Sequence, residues 1–233
     1  MNYLERYHEG EYEPVWDELT ALGPAVRQEL HYSQALEVAA ETMRRVRRDC
    51  ELIVARLHSR SYLFGLYPDG TTGYYTDGPL VPASDTTRAG MAELEAEAGP
   101  LPLSLVAFWQ EVGSVDFVGM HPEWPDGLDP LVVNPPEAAL SLLYEEEGDE
   151  DTEWFAGLAP DDLHKDNVSG GDPYGVALPN SSADFVFLEE RHNLPFVSYL
   201  RMAILRWGGF PGLDGRSTRF EPLGDLIAGL EPF

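Results

Sequence analysis

Cations are scarce in this sequence. Lys165 is the single lysine; with fourteen arginines it faces 41 Asp plus Glu, so the formal charge is −26. A charge of that sign opposes binding to nucleic acid or to an anionic membrane surface, and its natural counterpart is a basic protein partner. Cysteine is nearly absent. Cys50 alone cannot close an internal disulfide, which fits a reducing compartment and predicts a cytoplasmic location. Nowhere do eighteen apolar residues follow one another, and residues 1–10 carry acids without an apolar run, so neither a membrane span nor a signal peptide is expected.

Cofactor and catalytic spacings are missing too. The sequence has no His-Glu-x-x-His and no paired cysteines, so His121, His164 and the nearby aspartates lack the spacing of a metal centre. It has neither a phosphate-cradling Gly-x-x-x-x-Gly-Lys nor a dinucleotide Gly-x-Gly-x-x-Gly, and no cofactor is expected. Ser169 beside His164 lacks the Gly-x-Ser-x-Gly elbow of a nucleophile. Asp149-Glu150-Asp151 lacks the alternating oxygen ligands and central glycine of a calcium loop. No catalytic residue or metal ligand is therefore assigned.

What is present suffices for a core: 43% of the 233 residues are apolar and 11% aromatic. Residues 1–60 read as helical. Pro14 suits the start of a short helix ending at Gly23, and a longer helix begins near Ser33. In the long helix Leu36, Ala39, Met43, Val46, Cys50, Ile53 and Leu57 alternate spacings of three and four, a coiled-coil-like seam. It serves either an antiparallel helical hairpin docked on its own body or a weak dimer through residues 33–58. Arg44, Arg45, Arg47 and Arg48 crowd its middle, as a phosphate patch or as a solvated face paired with acids. Residues 61–80 change to tyrosines and turns and read as a hairpin or packed connector. A boundary then falls at about 82, giving an N-terminal helical part, 1–82, and a main domain, 83–233.

In the main domain, residues 87–98 predict a helix with Met91 and Leu94 inward, stopped by Gly99-Pro100. Leu105, Phe108, Trp109 and Val112 predict a core helix stopped by Gly113. Residues 115–118 and 131–133 read as strands. Residues 175–179 and 185–188 read as a hairpin turned by Asn180-Ser181-Ser182. Phe196, Leu200, Ile204 and Trp207 mark a last helix, begun at Pro195 and stopped by Gly208. Gly170 and Gly171 supply positive φ to the loop before them, where Ser169 or Asn167 can bond nearby backbone. The fold class is α+β: a mostly antiparallel sheet packed with helices, preceded by the helical hairpin.

Several pieces arrive in a telling order: Leu101 to Trp109, Val115-Asp116-Phe117, Asp129-Pro130-Leu131, His164-Lys165, Ser169-Gly170-Gly171-Asp172-Pro173-Tyr174, Asp184, Phe196-Val197, and Gly208-Gly209-Phe210-Pro211-Gly212. Over residues 84–233 the chain resembles the SMI1/KNR4, or SUKH, superfamily. That resemblance implies an immunity-type protein of bacteria, one that binds and neutralises a cognate toxin, often a nuclease. It does not account for residues 1–80.

Between residues 144 and 172 stand Glu145, Glu146, Glu147, Asp149, Glu150, Asp151, Glu153, Asp161, Asp162, Asp166 and Asp172, with Lys165 the only fixed cation. Such a block is either a solvated loop or, because Trp154 and Phe155 interrupt it with the aromatic area that interfaces use, a surface for a basic protein. Together with the two aromatics, these acids other than Glu153 are the candidate partner-binding residues. The competing reading is a small hydrolase or metal-binding enzyme using His164 with Asp161, Asp162, Asp166 or Asp172.

Overall fold

A computed structural model describes residues 2–67, 69–72, 78–146, 153–216 and 220–233. Helix α1 (Tyr3–His8) starts where the Asn2 side chain accepts from the Glu5 amide while the Glu5 carboxylate accepts from the Asn2 amide, two orphan donors satisfied at once. Helix α2 (Tyr12–Ala21) runs into a 3-10 turn at Gly23–Arg27, and α3 (Glu29–Ser59) follows. On α3 the seam from Ala39 to Leu57 is fully buried, but Leu36 is 36% exposed, and Ala35 and Val38 take its place. The slip has a simple cause: α3 begins four residues before Ser33, and a straight helix drifts off a strict heptad by about 20° per repeat.

The seam lies on α1 and on two elements of the main body, the helices Leu103–Glu111 and Leu223–Ile227, so its apolar face is spent within the chain. The arginines on its far side are paired: Arg44 and Arg45 with Glu41, Arg47 with Glu51, Arg48 with Glu231. Of the two readings of this patch, the acid-paired one is seen, and it is solvated at Arg44, Arg47 and Arg48 but not at Arg45, which is buried over the rings of Tyr7 and Tyr12.

Among the described residues of 61–80, one isolated antiparallel bridge, Leu66↔Thr72, is made within the stretch. The same residues give β1 (Leu63–Phe64) and β2 (Leu80–Val81), and each pairs with a later strand. Tyr62 is buried, its hydroxyl donating to the Phe117 carbonyl at 2.9 Å, whereas Tyr74 and Tyr75 lie outside the described residues. Helix α4 (Asp85–Ala98) buries Met91 and Leu94, and Gly99 ends it at φ +81°. Helix α5 (Leu103–Glu111) buries Leu105, Phe108 and Trp109, and the Trp109 indole donates to the Asn134 carbonyl at 2.8 Å. Gly113 has to be glycine: φ is +91°, and a Cβ would sit 2.1 Å from the Val81 carbonyl oxygen.

The chain continues through β3 (Ser114–Asp116), β4 (Gly119–Met120), β5 (Val132–Val133), α6 (Pro136–Ser141), β6 (Leu143–Glu146), β7 (Glu153–Ala159), α7 (Asp162–Lys165), β8 (Tyr174–Leu178), α8 (Phe196–Arg201) and α9 (Leu223–Ile227). Among the described residues there are three small sheets, ordered β1-β4, β2-β3-β5 and β6-β7-β8, every pair antiparallel. The fold is α+β, with helices preceding and flanking the sheets.

Two expectations need correction. Residues 175–178 do form a strand, β8, but its ladder partner is β7. Residues 185–188 add only the bridges Gly175↔Leu188 and Val186↔Pro195. That segment is held by side chains instead: the Phe185 ring stacks on Phe196 with centroids 4.9 Å apart, and Phe187 lies against Tyr199 at 4.8 Å. The last helix, expected to stay regular to Trp207, changes after Arg201 into a π turn over Met202–Arg206, in which the Trp207 amide reaches the Met202 carbonyl. The extra residue in that turn rotates Trp207 off the buried stripe of Phe196, Leu200 and Ile204.

Candidate functional site

The acidic stretch is built on strands. Leu143 and Tyr144 on β6 face Ala156 and Phe155 on β7, and Glu145 faces Trp154. The ordering contact is aromatic: Tyr144 and Phe155, directly opposite, stack at 5.0 Å with planes 27° apart. Phe155 is only 2% exposed and lies so close over β8 that a Cβ on Gly175 would meet its ring at 2.4 Å. It is a packing residue, not a surface anchor. Trp154 is half-buried against the core, opposite Leu178. Glu147, Asp149, Glu150 and Asp151 lie outside the described residues.

After β7 the chain turns into α7. Asp161, a candidate for partner contact, is instead 4% exposed and caps this helix: its Oδ1 accepts from the amides of Leu163 and His164, and its Oδ2 meets the Nδ1 of His164. The capping role was readable, since Asp precedes the helical turn. Its burial was not, because that depends on Gly171, at φ +85°, folding the loop back until a Cβ there would be 2.6 Å from the Asp161 carboxyl carbon. Gly170 also has positive φ, as expected. Asn167 reaches no nearby backbone group: its amide donates to the side chains of Asp69 and Thr71, at 3.0 and 3.1 Å, tying this loop to the 69–72 turn.

Lys165 is the largest surprise. In the sequence it stands among the acids as their one counterion, yet its ammonium is turned inward and fully buried, 2.6 Å from Asp129 and 4.6 Å above the Tyr174 ring. Asp129 went unassigned because only a fold-back of 36 residues brings the two together; its one local signal, lying before Pro130, spoke of a turn. The burial of Lys165 takes the one lysine of the stretch off the surface. Glu145, Asp162 and Asp172 are exposed, and none of them makes an ion pair among the described residues. Asp166 is half-buried, and burial, with Asp126 next, raises its carboxyl above the usual range.

Beside the α7 loop, at the end of the sheet where β6 and β8 begin and β7 ends, runs a groove of about 480 Å³, lined by Leu142, Pro160, Asp161, His164, Val168 and Pro173 among others. Its surroundings are unusually apolar for a surface: Leu142, Tyr144, Leu163 and Val168 are each 42–50% exposed. His164 is half-exposed there. Ser169 lines the same groove without a hydrogen bond to His164, and His121 stacks on Trp124 at 4.9 Å instead of joining it. No group of three or more His, Cys, Asp or Glu among the described residues is placed to hold a metal ion. The arrangement offers a histidine–aspartate pair, an apolar rim and an uncompensated acidic strand. Compared with protein-family models, curated proteins and solved structures, the chain matches none.

Proposed function

We propose that the chain is a non-enzymatic binding protein of immunity type, which docks its acidic face on a basic toxin, possessed of the cationic cleft that a nuclease needs, and blocks it. The observation that carries this reading is the disposal of the positive charge. Lys165 is withdrawn into the core and Arg44, Arg45, Arg47 and Arg48 of α3 are bound to acids of their own, so Glu145, Asp162 and Asp172 face solvent with no ion-pair partner among the described residues. Fixed acids beside exposed apolar groups both steer a cationic surface in and hold it there. The order of motifs resembling the SMI1/KNR4 superfamily supports the same reading.

The test is association kinetics with a basic protein captured from the native cell by the full chain. The on-rate should fall about tenfold or more between low and high salt, and fall again when Glu145, Asp162 and Asp172 are reversed to Lys. An on-rate indifferent to both would remove the acidic face from the reading. One observation favours a second reading: the His164–Asp161 pair opens on a groove, as a general base would. A hydrolytic activity abolished by His164→Ala with stability unchanged would decide for it.

A further inference from the structure

The acidic face has a backbone as well as a charge. Strand β6 is the edge of its sheet: β7 pairs with one side of it, and no strand among the described residues pairs with the other. The register says which groups look outward. The Gly157 amide donates to the Leu142 carbonyl at 3.2 Å, which fixes the phase of the ladder. In an antiparallel pair, bonded positions alternate, so Tyr144 exchanges its bonds with Phe155, whereas Leu143 and Glu145 turn their N–H and C=O groups away from β7. Edges of this kind are normally blunted by a proline, a bulge or a lysine. None of these three occurs in β6, a short strand blunted only by the charge of its own acids; the sheet's irregularity lies between β7 and β8, at Gly157/Ala159.

What the edge carries is a carboxylate. Pairing two copies of this chain edge to edge would bring the Glu145 residues of both together, and like charges across strands repel. A cationic strand meets the opposite condition, and at β6 it also finds the exposed carbons of Leu142 and Tyr144. We infer that β6 receives an extended, basic segment of the partner protein as an added antiparallel strand, bonded to the N–H and C=O groups of Leu143 and Glu145, with its cationic side chains beside the Glu145 carboxylate. This rests on the acidic-face reading and specifies how that face is used.

The probe is a ten-residue alternating Lys–Val peptide at low salt, added to the full chain, against the same peptide N-methylated at alternate residues, which keeps its charge but cannot complete a ladder. Hydrogen exchange read by NMR should show the Leu143 and Glu145 amides slowed at least tenfold by the first peptide, with the Tyr144 amide, already bonded to Phe155, little changed. The N-methylated peptide should bind at least tenfold more weakly. Proline at 145 deletes an outward N–H that the β6-β7 ladder does not use, so Glu145→Pro should weaken binding well beyond Glu145→Gln, with melting temperatures confirming that both fold. Equal binding of the two peptides would overturn strand addition while leaving the acidic face intact. Binding of neither would overturn both. A dimer dispersed by Glu145→Pro in sedimentation would mean that a second copy, not a basic partner, occupies the edge.

Discussion

Gly171 shows how much of the site depends on a missing atom. Its φ of +85° is costly for any side chain, and a Cβ would press on the carboxyl of Asp161, the residue that caps α7 and meets His164. Gly171→Val should lower stability by about 1 to 3 kcal/mol, measured by urea unfolding, and His164→Ala by much less. If the two costs were equal, the histidine would be part of the loop's framework. Asp49 carries the opposite kind of strain. It is buried on α3, with one oxygen accepting the Glu231 amide at 2.9 Å and the other unpartnered, and burial pushes its carboxyl up to about 6. Between roughly pH 4 and 6 the folded chain therefore binds a proton that the unfolded chain has released, and stability falls as pH rises through that window. Asp49→Asn keeps the acceptor and removes the charge. It should be more stable than the parent at pH 7 by about 1 to 3 kcal/mol and flatten the stability profile between pH 4 and 6, seen by melting across pH. A profile parallel to the parent's would show that Asp49 does not titrate there.

At the level of elements, local punctuation was legible and distant pairing was not. Gly99 and Gly113 stop α4 and α5 where their sequence position says, because each stop is a φ that glycine alone adopts easily. The partner of β8 could not be read. Residues 185–188 are the nearer candidate in sequence, and only the stacking of Tyr144 on Phe155 and the close fit over Gly175 bring β7 in instead. Acidity hid β6 and β7, since Glu145 and Glu146 suit a solvated loop as well as an edge strand. The heptad on α3 misassigned Leu36 alone, and that is testable. Leu36→Glu should change stability by less than about 0.5 kcal/mol, whereas Met43→Ala, in a fully buried site between helices, should cost about 2 to 5 kcal/mol in denaturant titration. Comparable losses would place Leu36 in an interface that the single chain does not contain.

For the molecule as a whole, charge and core divide the labour. The arginines are held in pairs and in contacts to backbone carbonyls, such as Arg27 to Leu101 and Arg56 to Leu226, and knit the first three helices to the rest. Residues 1–82 thus share one apolar core with the remainder of the chain, and neither part keeps a separate one. Among the described residues the acids other than Asp49, Asp129, Asp161, Asp184 and Glu190 lie wholly or partly at the surface. At this scale the sequence told the sign of the field but not its direction, because direction depends on where Lys165 went. Its burial has a chemical consequence. An amine-selective acylating reagent finds no side-chain ammonium on the folded surface, so modification of Lys165 must wait for the whole core to open. The rate at which mass spectrometry sees Lys165 acquire an acyl group should follow global unfolding, rising with urea in step with the loss of circular dichroism. A rate independent of urea would mean that the α7 loop opens on its own.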